Sequence, residues 1–198
     1  MPDNANVFEV DNNQLGKYAA KRNFNVTSEP EGKKTSMHEK PIFVIQKHHA
    51  RSLHYDFRIE TEGVLASWAI PKGPSMDPAV RRLAVQTEDH PMEYADFEGV
   101  IPEGEYGAGT VIVWDNGIFE NISEKDGKAV TIRETIEKGH VSIVIAGHKL
   151  KGSFSLVRTN MGKQPQWLFM KLKDPYAEPG SDITKTHPDS VLTGHRQS

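Results

Sequence analysis

Two imidazoles, a carboxylate and a guanidinium fall within eleven residues inside Gln46–Glu60, QKHHARSLHYDFRIE: His48, His54, Asp56 and Arg58. Read as a β-strand, Leu53–Glu60 projects His54, Asp56 and Arg58 from one face and Tyr55, Phe57 and Ile59 from the other. One face is chemical and the other is core, with His48 reaching in from the preceding turn. His48, His54 and Asp56 can supply three ligands to one divalent metal while leaving positions open for water and substrate. Arg58 offers a partner to an anionic group beside it. Imidazole mixed with carboxylate suits manganese, zinc, iron or nickel, and a phosphoryl substrate ranks manganese first and zinc second.

A second cluster, Glu88-Asp89-His90-Pro91-Met92-Glu93-Tyr94, follows a candidate strand over Arg82–Glu88. Glu88 and His90 share a face by alternation and Tyr94 closes the next turn. His90 can serve as a general acid, a third imidazole ligand or a phosphate hydrogen-bond donor. Between the clusters, Trp68-Ala69-Ile70-Pro71-Lys72-Gly73-Pro74 sets Lys72 in a rigid loop, and Arg81-Arg82 follow. Together Arg58, Lys72 and Arg82 would give a phosphate its counter-charges. The glycine-rich run from Glu98 to Gly109 lacks the Gly-Lys-Ser/Thr ending of a phosphate-cradling loop, so it reads as a structural loop at a barrel rim. Trp68, Trp114 and Trp167 read as core or hairpin packing rather than base-stacking platforms.

The elements that must position these residues are short β-type runs beginning after Pro41: Ile42–Gln46, Leu53–Glu60, Val64–Ile70, Arg82–Glu88, Ala95–Gly99, Gly109–Asp115, Ile118–Asn121, His140–Ala146, Leu150–Arg158 and Gln166–Leu172. This density predicts an antiparallel barrel or sandwich, with hairpin turns at Glu62-Gly63, Asn116-Gly117 and Gly147-His148. One helix, Ile132–Lys138, is expected from a Thr131/Glu134 capping box and Gly139 as its C-terminal cap. Residues 1–41 form a polar arm with a short helix at Leu15–Arg22, and 174–198 read as a linker or tail.

At 198 residues the chain fits one domain with a core of its own. It has no cysteine, which excludes disulfides, thiolate catalysis and cysteine-bound zinc. No signal peptide or membrane span is legible, so a soluble, cytoplasmic monomer is expected. The formal net charge of −3 gives no global basic field for duplex binding, and nucleic-acid affinity must come from a local cluster.

Several spaced motifs carry a resemblance: Gln46, His48-x-Ala50-x-x-Leu53-His54-Tyr55-Asp56-Phe57-Arg58, Trp68 to Gly73, Glu88-Asp89-His90-Pro91-x-x-Tyr94, and Glu98-Gly99-x-Ile101-Pro102-x-Gly104 to Gly109. From about Tyr18 to about Lys173 the chain resembles the 3′-phosphoesterase domain of bacterial DNA ligase D. No ligase or polymerase module accompanies it, so the resemblance is to a free-standing archaeal or bacterial version.

The resemblance implies a mostly β fold, a small closed antiparallel barrel with a few short flanking helices. It divides the chain into an arm (1–41) packing over the active site, a phosphoesterase barrel (42–173) and a tail (174–198). It further implies a manganese-dependent enzyme of DNA repair by non-homologous end joining. Such an enzyme removes 3′-terminal ribonucleotides, then 3′-phosphates, to leave hydroxyl ends, with DNA or DNA/RNA 3′ ends as substrate and a separate DNA ligase as partner. By the same resemblance His48, His54 and Asp56 bind the metal. Arg58, Lys72, Arg82, His90 and Tyr94 surround the phosphate, and Gln46 and Glu88 support the site. The arm contributes Arg22 and Glu29, but Asn23 stands where the family has Asp. An amide cannot act as a carboxylate base, so Asn23→Asp is expected to raise ribonucleotide removal relative to phosphate removal.

Two rival readings remain. His54, Asp56 and His90 reproduce the two-His-one-carboxylate pattern of a non-haem iron oxygenase. Alternatively, the chain binds DNA ends without catalysis and recruits a ligase.

Overall fold

The computed structural model describes residues 14–32, 38–160 and 166–197. The β-type runs form β1 (Ile42–His49), β2 (Leu53–Thr61), β3 (Val64–Ile70), β4 (Arg81–Gln86), β5 (His90–Pro91), β6 (Gly99–Ile101), β7 (Gly109–Asn121), β8 (Glu124–Lys125), β9 (Lys128–Ala129), β10 (His140–Gly147), β11 (Lys151–Thr159) and β12 (Gln166–Lys171). Eight of them close an antiparallel barrel in the order β1-β2-β3-β4-β12-β11-β10-β7, with β7 returning to β1. Short helices α1 (Gly16–Ala20), α2 (Ile132–Lys138) and α3 (Ile183–Thr186) flank it. The expected mostly β barrel is therefore the observed fold.

Alternation sorts the side chains. Phe43, Ile45, Tyr55, Phe57, Ile59, Phe154 and Phe169 fill the interior together with Trp68, Trp114 and Trp167, so all three tryptophans are core. The outer face of the wall carries a second apolar cluster, in which Val44, Leu65, Val111 and Val113 pack against Tyr18, Met92, Tyr94, Phe97 and Ile101. This second cluster exists because α1, β6 and a 3-10 turn at Met92–Asp96 lie over β1, β3 and β7. A barrel wall covered on both sides can bury polar residues on its outward face.

The β2–β3 hairpin turns at Glu62 and Gly63, both left-handed (φ 51° and 78°), as a two-residue connection demands. Helix α2 has the expected capping box and ends at left-handed Gly139. Three expectations are corrected. Asn116-Gly117 is not a turn but the middle of β7, which pairs with β1 along one stretch and β10 along the next. Glycine is required there because a Cβ at Gly117 would stand 2.2 Å from the Ala146 carbonyl, so the residue permits close strand approach rather than reversal. Ala95–Gly99 is not a strand, since Pro91 leads into the 3-10 turn that buries Met92, Tyr94 and Ala95. The expected strand Arg82–Glu88 ends at Gln86.

The arm expected over 1–41 is described for 14–32 and 38–41, and the remainder lies outside the described residues, as does Ser198. The segment read as a tail is packed instead. Trp114 Nε1 donates to the His187 carbonyl at 2.7 Å, Val191 N to the Val113 carbonyl at 2.9 Å and Gln197 to the Thr110 carbonyl at 2.9 Å. Glu98 gathers Val113 N (2.8 Å), Thr193 Oγ1 (2.8 Å) and Ser190 Oγ, tying this strap to the start of β6.

Asp115 anchors a neighbouring connection. Fully buried, its carboxylate accepts from the backbone N–H groups of His148, Lys149 and Leu150 at 2.8–3.0 Å and so shapes the β10–β11 turn. Asp115→Ala leaves three backbone donors without their acceptor, that of Leu150 buried, and is expected to cost about 2–4 kcal/mol in denaturant unfolding. A loss under about 0.5 kcal/mol would show that water replaces the carboxylate.

Candidate active site

Register brings the chemical residues together. On adjacent β1 and β2, His48 stands opposite His54, and Gln46 opposite Asp56. These residues and Arg58 occupy the outward face, under the arm and the 3-10 turn, and a cavity of about 300 Å³ opens over them. Its lining includes Arg22 and Glu29 from the arm, His48, His54, Asp56 and Arg58 from the wall, and Glu88, His90 and Tyr94.

Backbone carbonyls fix the two imidazoles. His48 Nε2 lies 2.7 Å from the Gly107 carbonyl and His54 Nδ1 lies 3.0 Å from that of Ser52, so each of these nitrogens carries a hydrogen. The other nitrogens are left with free lone pairs: His48 Nδ1 is 3.6 Å and His54 Nε2 3.7 Å from the Asp56 carboxylate. One donor atom from each of the three residues lies within 4.8 Å of the others, the His-His-carboxylate group found among the described residues. Partly buried imidazoles held in one tautomer by outer carbonyls, facing a carboxylate, fit a divalent transition metal. Burial opposes the Asp56 carboxylate, but the adjacent Arg58 guanidinium outweighs it and holds the carboxyl well below its usual range.

Arg58 is the hub. Its Nε donates to Gln46 Oε1 at 2.7 Å, one terminal nitrogen to Asp56 at 3.1 Å, and the other lies 3.1 Å from His90 Nδ1. Gln46 is in turn fixed by donating to the Tyr94 and Phe97 carbonyls at 2.9 and 3.0 Å. Arg22 mirrors this from the arm. Its Nε donates to Glu29 at 2.9 Å, and its terminal nitrogens reach the Tyr18 carbonyl at 3.0 Å and Glu88 and His90 at 3.4 Å. Glu29 also accepts from Tyr94 OH (2.8 Å) and Thr27 Oγ1 (2.9 Å). Burial pushes the Tyr94 phenol well up, keeping it a donor.

His90 sits between the two guanidiniums. Burial first, then the charges of Arg58 and Arg22, push its imidazole well below the ordinary value, so it is neutral. The Glu88 carbonyl lies 2.9 Å from Nδ1, which assigns the hydrogen there and leaves Nε2 to face Arg22. His90 does not join the His48-His54-Asp56 group, so the geometry gives no support to the oxygenase triad.

The cavity does not include every expected residue. Lys72 follows β3 and is exposed; Arg82 sits on β4 opposite Phe169, with its Nε buried and unpartnered, and neither lines this cavity. Asn23 is exposed, its Oδ1 accepting from Asn25 N at 3.2 Å in a local turn. Sequence reasoning missed the Gly107 and Ser52 carbonyls, which no residue type announces. It also missed Lys21 and Tyr106: Lys21 Nζ binds Glu88 at 2.9 Å and Tyr106 OH at 3.3 Å.

Known proteins share this arrangement's sequence. The profile of the DNA ligase D 3′-phosphoesterase domain matches residues 46–158. The chain belongs to that family. It is 51% identical over 184 residues, 90% of its length, to the multifunctional non-homologous end joining protein LigD of Pseudomonas aeruginosa, and 42% identical over 169 residues, 81% of its length, to that of Mycolicibacterium smegmatis. The LigD of Mycobacterium tuberculosis is 48% identical over 132 residues, 67% of the chain. The chain spans 21%, 21% and 16% of the length of these relatives. No described helix is long and apolar enough to cross a membrane.

The neutral His90 is testable. Its side-chain nitrogen resonances are expected to stay those of one neutral tautomer from about pH 7.5 to 5.5, where a free histidine titrates. Since the unfolded state alone gains this proton as pH falls through 6.5, the His90 contribution to stability falls on acidification. Protonation of His90 within that window would contradict the placement between two arginines.

Proposed function

We propose that this chain is a metal-dependent phosphoesterase that heals DNA 3′ ends, removing 3′-phosphates and 3′-terminal ribonucleotides to leave hydroxyls. The observation that carries the reading is the convergence of His48 Nδ1, His54 Nε2 and the Asp56 carboxylate beside two buried arginines. Family membership supports it.

The charge balance favours a divalent ion. Lys21, Arg22 and Arg58 bring three positive charges to the cavity and its rim, and Glu29, Asp56 and Glu88 bring three negative ones. Burial opposes ionisation of Glu88, but Lys21 and Arg22 outweigh it and keep its carboxyl low. The protein groups thus cancel, and a phosphate dianion meets no net attraction from them. His48, His54 and Asp56 would hold a divalent ion, manganese first and zinc second, which would supply Lewis-acid charge to a phosphate oxygen.

The chain's own residues then orient and discriminate. Arg58 has its Nε held by Gln46 and one terminal nitrogen by Asp56, and Arg22 is held by Glu29, so both forks are preorganised before an anion arrives. Such fixed donors need no reorganisation as charge develops on the equatorial oxygens. Neutral His90 offers a hydrogen-bonding edge rather than a proton, which removes it as resting-state acid for the leaving 3′-oxygen. Tyr94, kept protonated and directed at Glu29, positions the arm carboxylate.

A primer ending in 3′-phosphate, incubated with manganese, should lose it, and chelation should abolish the loss. Persistence of the phosphate at high enzyme would overturn the reading. His54→Ala and Asp56→Ala should each reduce turnover at least about a hundredfold with the fold retained. Asn23→Asp, given its exposed side chain, should leave the ratio of ribonucleotide removal to phosphate removal unchanged, which reverses the expectation from sequence; a shifted ratio would place residue 23 at the substrate.

A further inference from the structure

Tyr106 stands out because it is half exposed, at 50%, while lining the mouth of a cavity whose floor is buried. It precedes Gly107, whose carbonyl holds His48, on the loop that joins β6 to β7. The ring is held from the arm rather than by the core. Lys21 Nζ is 4.5 Å from the ring centroid and 3.3 Å from the hydroxyl, Lys21 is itself tied to Glu88 at 2.9 Å, and the Arg22 guanidinium is 5.7 Å from the ring. An aromatic ring gains its packing energy by burial, and this one is fixed in place yet left in water.

We propose that Tyr106 is the stacking platform for the base of the 3′-terminal nucleotide, with Lys21 holding its ring in position. This rests on the end-healing reading above and deepens it by naming a specificity residue. Stacking suits a site that must accept any sequence, because every base presents a π-face. The role also matches the outline of the cavity: basic groups and metal ligands lie inside for a phosphate, and a flat aromatic surface lies at the rim. The competing role for Tyr106 is a latch that merely ties the arm to the loop through Lys21.

Binding of fluorescent primers to the full chain, with manganese present, separates these. Two primers are compared, identical except that one carries a base on its terminal nucleotide and the other is abasic there, each made with a non-hydrolysable 3′-phosphonate standing in for the 3′-phosphate and with a 3′-hydroxyl. The native chain should prefer the base-bearing primer by about tenfold. Tyr106→Ala should bind both primers alike, Tyr106→Leu, which keeps apolar bulk without a π-face, should do the same, and Tyr106→Phe should restore the preference. Equal weakening on both primers would mean a latch and would overturn the proposal, as would a native chain indifferent to the base. The 3′-hydroxyl pair keeps the two readings apart. A base preference without a phosphate preference would remove the end-healing reading and leave the stacking intact, and the reverse pattern would remove the stacking alone.

Discussion

Arg58 and Asp56 point outward from β2, the side of a barrel wall that ordinarily meets water, yet both are buried. Burying a guanidinium and a carboxylate costs several kcal/mol per ion unless each is paired and its remaining hydrogen bonds are met. The surrounding structure meets them. Gln46 takes the third edge of Arg58, the Tyr94 and Phe97 carbonyls take Gln46, and Tyr94 carries the chain of bonds to Glu29 and so to Arg22. His90 fills the space between the two guanidiniums without adding a third positive charge. Removing one member leaves a partner charged and unpaired in a dry place, so the arm, the 3-10 turn and the wall are coupled through charge as much as through apolar contact.

That coupling explains what was legible in the sequence and what was not. The alternation His54-x-Asp56-x-Arg58 against Tyr55-x-Phe57-x-Ile59 survives in the structure because a strand with period two admits one sorting of its faces. Register then delivers His48 opposite His54, which a single-strand pattern cannot show. The fold class was readable from strand density, the α2 caps and the Glu62-Gly63 turn, all local signals. What escaped was decided between segments. Gly117 looked like a turn residue because its real reason, the Ala146 carbonyl 2.2 Å from its absent Cβ, lies on another strand. The order of the strap depends on Glu98 and Val113, far back in the chain. Composition reports a segment's own appetite for burial but not the carboxylate waiting for its hydroxyls.

The same distinction separates Arg58 from Lys72 and Arg82. All three are basic and close in sequence to the site, but only Arg58 has a position on the outward face fixed by neighbours of known register. Lys72 sits in the loop after β3, and Arg82 shares its cross-strand position with Phe169, an interior residue. Facing is a property of register, and register is not carried by residue type. Family resemblance supplies roles for such residues without supplying the geometry.

A net charge of −3 is compatible with a DNA-end reader for a physical reason. Proteins that hold duplex DNA draw most of their affinity from neutralising many phosphates along the backbone, and that demands a broad basic surface. A cavity of about 300 Å³ lies at the small end of ligand sites and has room for a terminal group rather than a duplex. Recognition concentrated on one terminus needs high charge density at one point, and here the protein's own charges cancel there. On the proposed function the site would be selective by construction: an anion would be attracted when a divalent ion completes the group of His48, His54 and Asp56, and backbone phosphates elsewhere would find little to hold them. On the proposed function, weak non-specific attraction would be an advantage, because an enzyme whose substrates are rare ends among long uninterrupted strands would not be sequestered on intact DNA.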